Sequence, residues 1–274
     1  TEYVTVSTDD DGMVTDELEQ GLRTGPEFIY VLPNFQNPMG VSISLERRQK
    51  LVEMADRYGV PLIEDDPYGQ LRFEGEHIPG VAVIDAKMRV QNGSYTGNVI
   101  YMSTFSKILA PGLRLAWVIA PPEVIRKLVL AKQGADLHSP TFNQVVAYEV
   151  GRGGFIDQHV QTICQVYHER RDAMLESLSE HMPEGVTWTH PQGGLFLWLR
   201  TPDSVSTVEM FPEAIKKLVA YVPGESFYPN GGGHNTMRLN FSYCKPALIN
   251  EGISRLGSLI KETLVSQHKI FTGV

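Results

Sequence analysis

Apolar and polar positions along the first 160 residues predict strands separated by helices. Four short runs are almost wholly apolar, as expected for strands that are buried on both faces. Between the first two runs, apolar positions from Leu51 to Tyr58 have helical spacing; Ser44 can cap this helix and Gly59 can end it. The four runs are FIYVLP (28–33), VPLIE (60–64), NVIYMSTF (98–105) and LRLAWVIA (113–120).

This order of elements predicts an α/β fold. Strands interleaved with helices form a mainly parallel sheet covered on both faces, here a three-layer αβα arrangement. The second half has a long helical stretch near 155–181, followed by short strands, another helix and a closing helix near 246–266. We therefore predict a large domain over 1–160 and a smaller α+β domain over 161–274. Ligands of such sheets bind beyond the carboxyl ends of the strands.

Composition narrows the function classes. The chain has 274 residues, is 42% hydrophobic and carries a formal net charge of −8, which argues against binding nucleic acid through its phosphates. Cys164 and Cys244 are far apart, a spacing that indicates neither a disulfide framework nor a metal site. No apolar run reaches the roughly 18–20 residues of a membrane helix. We expect a soluble, cytoplasmic protein.

Two loops that follow predicted strands contain candidate site residues. PNFQNPMG (33–40) places Asn37 before a proline; the segment is either an ordinary turn or a rigid support for a hydrogen-bonding amide. EDDPYG (64–69) contains Asp65 and Tyr68 directly after buried positions, where an unpaired carboxylate is costly. We therefore expect Glu64 or Asp65 to have a cationic partner, such as a protonated pyridine nitrogen.

The stretch STFSKILAPGLR (103–114) is the most informative. Lys107 follows an apolar strand and lies among the hydroxyls of Thr104 and Ser106, with Arg114 seven positions later. The interval from Asp65 leaves room for a crossover helix, which would return Lys107 to the same sheet edge. A desolvated lysine near another cation is a usable nucleophile toward an aldehyde. Arginine and hydroxyl groups are suitable phosphate donors.

A fourth candidate lies in the predicted small domain. Arg238 is flanked by apolar residues in TMRLNFSYC (236–244). It is either a strand residue that faces solvent or a guanidinium fork that binds a substrate carboxylate.

Together these motifs resemble the pyridoxal-phosphate-dependent aminotransferases of fold type I, class I/II. The stretches PNFQNPMG, EDDPYG and STFSKILAPGLRLAW are most similar to those of the 2-aminoadipate and kynurenine aminotransferases. The resemblance implies that Lys107 forms the internal aldimine and shuttles a proton, and that Asp65 pairs with the pyridinium nitrogen. The other implied roles are hydrogen bonds to the phenolic oxygen of the cofactor from Asn37 and Tyr68, phosphate binding by Thr104, Ser106 and Arg114, and binding of the substrate α-carboxylate by Arg238.

The resemblance also implies a homodimer that uses pyridoxal 5'-phosphate, an amino acid of the 2-aminoadipate, aromatic or branched-chain type, and a 2-oxo acid such as 2-oxoglutarate. Family members are longer at the amino terminus, so we expect the chain to be the carboxyl-terminal portion of a longer enzyme. Two alternatives remain open. One is the effector-sensing domain of a transcription regulator, although such domains usually have a His-Gln pair where this chain has Asn37. The other is a decarboxylase or carbon–sulfur lyase on the same fold.

Overall fold

The computed structural model describes the backbone of residues 2–89 and 97–272, and side chains as far as residue 266. The chain divides into two compact units. The first unit comprises Val4–Gln36 and Val41–Ile163; the second comprises Thr1–Tyr3, Asn37–Gly40 and Cys164–Val274. The domain boundary at residue 160 stays a prediction. Among the described helices, none is both long enough and apolar enough to cross a membrane.

The first unit consists of short strands and helices in the predicted order. Its elements are β1 (Thr8–Asp9), β2 (Gly12–Met13), α1 (Leu18–Leu22), β3 (Ile29–Val31), α2 (Leu45–Tyr58), β4 (Leu62–Asp65), α3 (Val81–Arg89), β5 (Val99–Thr104), β6 (Ala116–Ile119), α4 (Pro122–Ala135), α5 (Thr141–Gly151) and the start of α6 (Phe155–His181).

The main sheet has the strand order β3-β4-β5-β6. The first three strands are parallel, and β6 pairs antiparallel with β5. The prediction of an α/β fold with a mainly parallel sheet is confirmed. Because β3, β4 and β5 are sequential neighbours, right-handed crossovers place α2 and α3 on the same face. One core cluster accordingly joins α1, α2 and α3 to that face of the sheet.

The opposite face of the sheet is more exposed in the described residues than the face that α2 and α3 cover. Tyr30 is 50% exposed, and Ile63, Ile100 and Met102, which alternate with the core-facing positions, are half-buried. Both crossovers from β3 to β5 deliver their helices to the other face. Helix α4, which follows β6, has no buried residue among those described.

The structure confirms the predicted end of α2 at Gly59 but not the predicted side-chain cap at Ser44. Gly59 adopts a left-handed conformation with φ 66° and ends the helix, as predicted, because glycine has no Cβ to clash there. Ser44 occupies the N-cap position, but its side chain accepts no capping hydrogen bond from the helix. The expectation of a side-chain cap at Ser44 is therefore wrong.

The second unit contains a four-stranded antiparallel sheet of order β7-β8-β10-β9, with long helices at both ends of its sequence. Apolar side chains of β8 and β10 are almost fully buried. Besides the rest of α6, its elements are β7 (Thr187–Trp188), β8 (Phe196–Arg200), α7 (Thr207–Lys216), β9 (Val222–Pro223), β10 (Thr236–Asn240) and α8 (Pro246–Thr272).

Candidate active site

The carboxyl ends of β4 and β5 lie side by side. Glu64 pairs with Tyr101 and Asp65 with Met102 in parallel register, so the segments that follow Asp65 and Thr104 leave the same edge of the sheet. The backbone N–H of Asp66 donates to the carbonyl of Met102 at 2.8 Å, and the Ser103 hydroxyl donates to the carbonyl of Asp66 at 2.8 Å. The prediction that a crossover returns Lys107 to the sheet edge of Asp65 is confirmed.

Asp65 is half-buried and has a phenolic partner that the sequence did not reveal. The Tyr30 hydroxyl donates to Oδ2 of Asp65 at 2.6 Å. Burial, followed by this hydrogen bond, raises the pKa of Tyr30, so the phenol keeps its proton and acts as the donor. Tyr30 pairs with Ile63, which places Tyr30 two positions from Asp65 on one face of the sheet. The register between β3 and β4, which the sequence does not reveal, brings the side chains of Tyr30 and Asp65 together.

Glu64 points to the opposite face and is fully buried. Its two carboxylate oxygens accept backbone N–H groups of Val81 at 2.8 Å and Ala82 at 2.7 Å, at the amino-terminal end of α3. A helix amino terminus has unpaired N–H donors and a positive end of its dipole. The direct hydrogen-bond partners of Glu64 are therefore these N–H groups, and the charge of Arg48 also acts on its carboxylate.

The buried Glu64 predicts a pH dependence of stability. Burial outweighs the two hydrogen bonds and raises the pKa of this carboxyl above its ordinary value of 4.5. Between that value and the higher folded-state pKa, the folded protein binds more protons than the unfolded chain. The contribution of protonated Glu64 to the stability of the fold is thus fully present below pH 4.5. It is lost as the pH rises through the pKa of Glu64 in the folded state.

Chemical denaturation of the wild type and Glu64→Gln across pH 4–8 measures this dependence. We expect the free energy of unfolding of the wild type to fall with rising pH relative to that of the variant. Glu53→Gln, an exposed glutamate on the same unit, provides the control and should follow the wild type. Parallel curves for wild type and Glu64→Gln would contradict the raised pKa.

Tyr68 lies in the turn that follows β4. Its side chain is 6% exposed, and its carbonyl accepts the backbone N–H of Leu71 at 2.7 Å. Tyr68 therefore belongs to the same ordered turn as Asp65. Its hydroxyl remains a predicted cofactor contact.

A hydroxyl-rich turn follows β5. The Thr104 hydroxyl donates to the carbonyl of Leu115 at 2.9 Å and accepts the backbone N–H of Ser106 at 3.1 Å. The hydroxyls of Thr104 and Ser106 are 3.0 Å apart. Lys107 follows directly and is half-buried. The Thr104 hydroxyl thus connects the start of this turn to Ser106 and to the carbonyl of Leu115.

Arg114 closes this turn. Thr104 pairs with Ala116, so Arg114 and Ser106 leave paired strands at the same end. The backbone of Arg114 is left-handed with φ 54°, which is uncommon for a non-glycine residue. Its guanidinium is exposed and donates to the carbonyl of Pro111 at 3.0 Å. The structure therefore places the backbone of Arg114 at the same end of the β5–β6 pair as Ser106.

Asn37 and Arg238 both belong to the second unit and are in contact. A guanidinium nitrogen of Arg238 donates to Oδ1 of Asn37 at 2.6 Å. Because arginine only donates, this bond assigns the oxygen of the amide to Arg238 and leaves Nδ2 as its donor side. The guanidinium carbon also lies 4.2 Å from the ring centroid of Phe196 and 5.3 Å from that of Phe227.

The predicted site residues thus fall into two groups, one in each unit. Six of them lie at or just beyond the carboxyl ends of β4 and β5 in the first unit: Asp65, Tyr68, Thr104, Ser106, Lys107 and Arg114. Asn37 and Arg238 form the second group. The roles of all eight stay predictions.

A model of the family "aminotransferase class I and II" matches residues 2–256. The chain belongs to the class I and II aminotransferase family.

Relatives within the aminotransferase family are similar over nearly the whole chain. Aromatic-amino-acid aminotransferase 1 of Thermococcus litoralis is 45% identical over 96% of this chain and 62% of its own length. The crystal structure of a multiple substrate aminotransferase from Thermococcus profundus has a TM-score of 0.90 and is 44% identical, covering 97% of this chain and 65% of its own. The α-aminoadipate aminotransferase of Thermus thermophilus, complexed with N-(5'-phosphopyridoxyl)-L-leucine, has a TM-score of 0.91 and is 39% identical, covering 96% and 66%.

The chain therefore spans just under two thirds of the length of such relatives. The family assignment rests on residues 2–256, and the fold on the structural similarity over nearly the whole chain.

The sequence did not predict one cluster beside the candidate site. Arg48, Asn34 and Asp66 are connected by hydrogen bonds, and Arg48 is fully buried. The signal for Arg48 is its position in α2, three residues before Leu51 on the apolar face, where a cation is unusual. No local pattern singles out Asn34 or Asp66, because their partners are distant in sequence.

Proposed function

We propose that the chain carries the cofactor-binding and catalytic residues of a pyridoxal-phosphate-dependent aminotransferase. The reaction moves an amino group from an L-amino acid of the 2-aminoadipate, aromatic or branched-chain type to a 2-oxo acid such as 2-oxoglutarate. The observation that carries the proposal is the position of Lys107. It follows the hydroxyl turn of β5 at the sheet edge that also bears Asp65. Similarity to relatives with these activities supports it.

The residues of the first unit fit pyridoxal phosphate. The phosphate needs several donors. Thr104 binds the Leu115 carbonyl and the Ser106 backbone N–H, so the donors proposed for the phosphate are the Ser106 hydroxyl and the guanidinium N–H groups of Arg114 beyond the one that binds Pro111. The pyridinium nitrogen needs a carboxylate, and Asp65 is half-buried and oriented by Tyr30. The complex of the Thermus thermophilus relative contains a phosphopyridoxyl group, which supports the same cofactor here.

Each residue would contribute a definite chemical property. When bound, the cofactor supplies the electron sink that lets the substrate Cα lose a proton. Lys107 provides the amine that anchors the cofactor and then the base that takes and returns that proton. Asp65 keeps the ring nitrogen protonated, and Tyr68 and the Nδ2 side of Asn37 donate to the phenolic oxygen.

Arg238 is proposed to bind the substrate α-carboxylate. Its contact with Asn37 and the flanking rings of Phe196 and Phe227 restrain the guanidinium. A restrained planar fork binds a carboxylate with little further loss of side-chain entropy.

Borohydride reduction of the protein with pyridoxal phosphate, followed by peptide mapping, tests the anchor. We expect the reduced cofactor on Lys107. A panel of amino donors with 2-oxoglutarate then tests the reaction and its substrate type. Label at a different lysine would overturn the assignment of Lys107. Labelled Lys107 without turnover of any donor would favour an effector-sensing domain, and release of ammonia with a 2-oxo acid would favour a lyase.

Replacing Arg238 by alanine should weaken use of the amino acid. Hydrogen bonds to charged groups contribute about 1.5–3 kcal/mol, so kcat/KM should fall roughly 10- to 150-fold, mainly through KM. Steady-state kinetics with the best donor from the panel measures the change.

The matched control is Arg200→Ala, an exposed arginine at the end of β8 in the same sheet. It should leave KM unchanged. The second control is an amine that lacks the carboxylate. Equal losses for this amine and for the amino acid would refute the carboxylate-binding role of Arg238.

We also propose a cytoplasmic homodimer. Apolar side chains on α5 are exposed, including Phe142 at 75% and Tyr148 at 65% exposure, which supports association with a second copy of the protein. Sedimentation analysis tests the oligomeric state, and a monomer at all concentrations would exclude the homodimer.

A further inference from the structure

Arg48 connects two loops beside the candidate site. Its side chain is fully buried on α2, yet it donates to five acceptors. They are the carbonyls of Ile43 at 2.8 Å, Ile78 at 3.3 Å, Pro79 at 3.0 Å and Pro33 at 2.8 Å, and Oδ1 of Asn34 at 2.7 Å. These acceptors belong to the loop after β3, the start of α2 and the loop before α3.

The bond from Arg48 orients the Asn34 amide. Since a guanidinium can only donate, it selects the oxygen of the amide and turns the nitrogen away. Nδ2 of Asn34 donates to Oδ1 of Asp66 at 2.9 Å. An Asn34 amide in the opposite orientation would present a donor to Arg48 and an acceptor to Asp66. Arg48 therefore determines which side of the amide faces Asp66.

Asp66 in turn is held from both neighbouring strands. Asn34 follows β3 and binds the Asp66 side chain, whereas Met102 and Ser103 of β5 bind its backbone N–H and carbonyl. Asp66 directly follows Asp65, so these bonds restrain the peptide that carries Asp65. The Asp66 side chain also accepts hydrogen bonds from the backbone of Gly69 and from Tyr101 of β5, so loss of the Asn34 bond frees the turn on the β3 side only.

Electrostatic interactions also connect the cluster of Arg48, Asn34 and Asp66. Burial lowers the pKa of Arg48 to about 10, which still leaves the guanidinium protonated near neutral pH. Burial raises the pKa of Asp66, while the hydrogen bond from Asn34 and the charge of Arg48 oppose this shift. The charged groups facing Arg48 are Glu64, Asp66 and Arg72. Arg48 thus offsets two buried carboxylates.

We propose that Arg48 is a positioning residue, which acts through Asn34 and Asp66 to fix the turn that carries Asp65. This inference rests on the proposed function for its effect on the cofactor. The relay itself depends only on contacts within the first unit. An apolar residue at position 48 would fill part of the same volume without orienting the Asn34 amide.

The test compares Arg48→Lys with Arg47→Lys. Lysine keeps the charge but lacks the planar fork that reaches several acceptors. Arg47, the adjacent residue of α2, is the matched control, since its guanidinium binds Asp9 and the carbonyls of Gly12 and Met13 in the β1–β2 hairpin. Both variants lose an arginine fork on the same helix.

Two measurements are made on each protein. The first is deuterium uptake by the backbone amides of residues 64–71, without added cofactor. The second is the pH midpoint of the visible absorbance of the protein with pyridoxal phosphate. In Arg48→Lys we expect the backbone amides of residues 64–71 to exchange about tenfold faster, because one hydrogen bond to a charged group is lost. We also expect the pH midpoint of the cofactor absorbance to shift. Arg47→Lys should change neither.

Asn34→Ala provides a second variant, which retains Arg48. It should reproduce the faster exchange, and the double variant should add little to either single change, because residues of one relay are coupled. Additive effects, unchanged exchange in Arg48→Lys or equal effects in Arg47→Lys would overturn the proposal. If the wild type develops no cofactor absorbance, the proposed function fails, whereas the exchange result still decides the relay.

Discussion

Replacing Lys107 by alanine is expected to abolish transamination and covalent attachment of pyridoxal phosphate. The amine is the only group that the proposed function assigns to both anchoring and proton transfer at Cα. Loss of a positioned general base alone lowers rates by about 10²- to 10⁴-fold. Single-turnover kinetics with the best amino donor, together with borohydride reduction and mass analysis, measures both losses.

Lys132→Ala is the matched control for Lys107→Ala. Lys132 lies on α4 of the same unit, has an exposed side chain and pairs with Asp136 at 2.9 Å. It should retain labelling and turnover. Thermal unfolding of both variants separates a chemical loss from a folding loss. Retained turnover in well-folded Lys107→Ala would disprove the assignment of the base and the anchor.

Replacing Asp65 by asparagine is expected to leave the fold intact and remove most of the turnover. Asparagine has nearly the same shape, and its amide oxygen can still accept the Tyr30 hydroxyl that now lies 2.6 Å from Oδ2. It lacks the negative charge that would keep a pyridinium protonated. Two unit charges 4 Å apart interact by about 4 kcal/mol at an effective dielectric constant of 20, which corresponds to roughly 10³-fold in rate.

The measurements are kcat and the absorbance of the bound cofactor for Asp65→Asn. Asp56→Asn is the control: Asp56 lies on α2 and forms a 2.6 Å ion pair with Arg89, away from the sheet edge. It should alter stability slightly and turnover not at all. A kcat for Asp65→Asn equal to that of the wild type would remove Asp65 from the proposed site.

Local patterns were sufficient to predict the strands and the positions of the candidate residues. A buried parallel strand is an uninterrupted apolar run, and the chain then needs polar turn residues where the run ends. Asp65, Tyr68, Ser106 and Lys107 follow such runs closely, and Thr104 lies at the end of one. Their common sheet edge followed from the handedness and connectivity of parallel strands.

Side-chain partners could not be predicted in this way. A buried Glu64 implied a partner, and its direct hydrogen-bond partner is the amino terminus of α3, seventeen residues later, with the charge of Arg48 acting from α2. Tyr30 was counted as one apolar strand residue, and only the β3–β4 register shows that it reaches Asp65. These outcomes depend on how elements pack, not on the residues near each one.

By itself, the sequence determined the α/β class, the order of the elements and the residues available for chemistry, because hydrophobic periodicity and turn chemistry act over a few neighbouring residues. Only the tertiary structure decided which groups meet. It assigns Asn37–Gly40 to the second unit, where Asn37 binds Arg238, and it connects Arg48 through Asn34 to Asp66. Contacts of this kind join residues far apart in sequence, and their geometry exists only once register and packing are set.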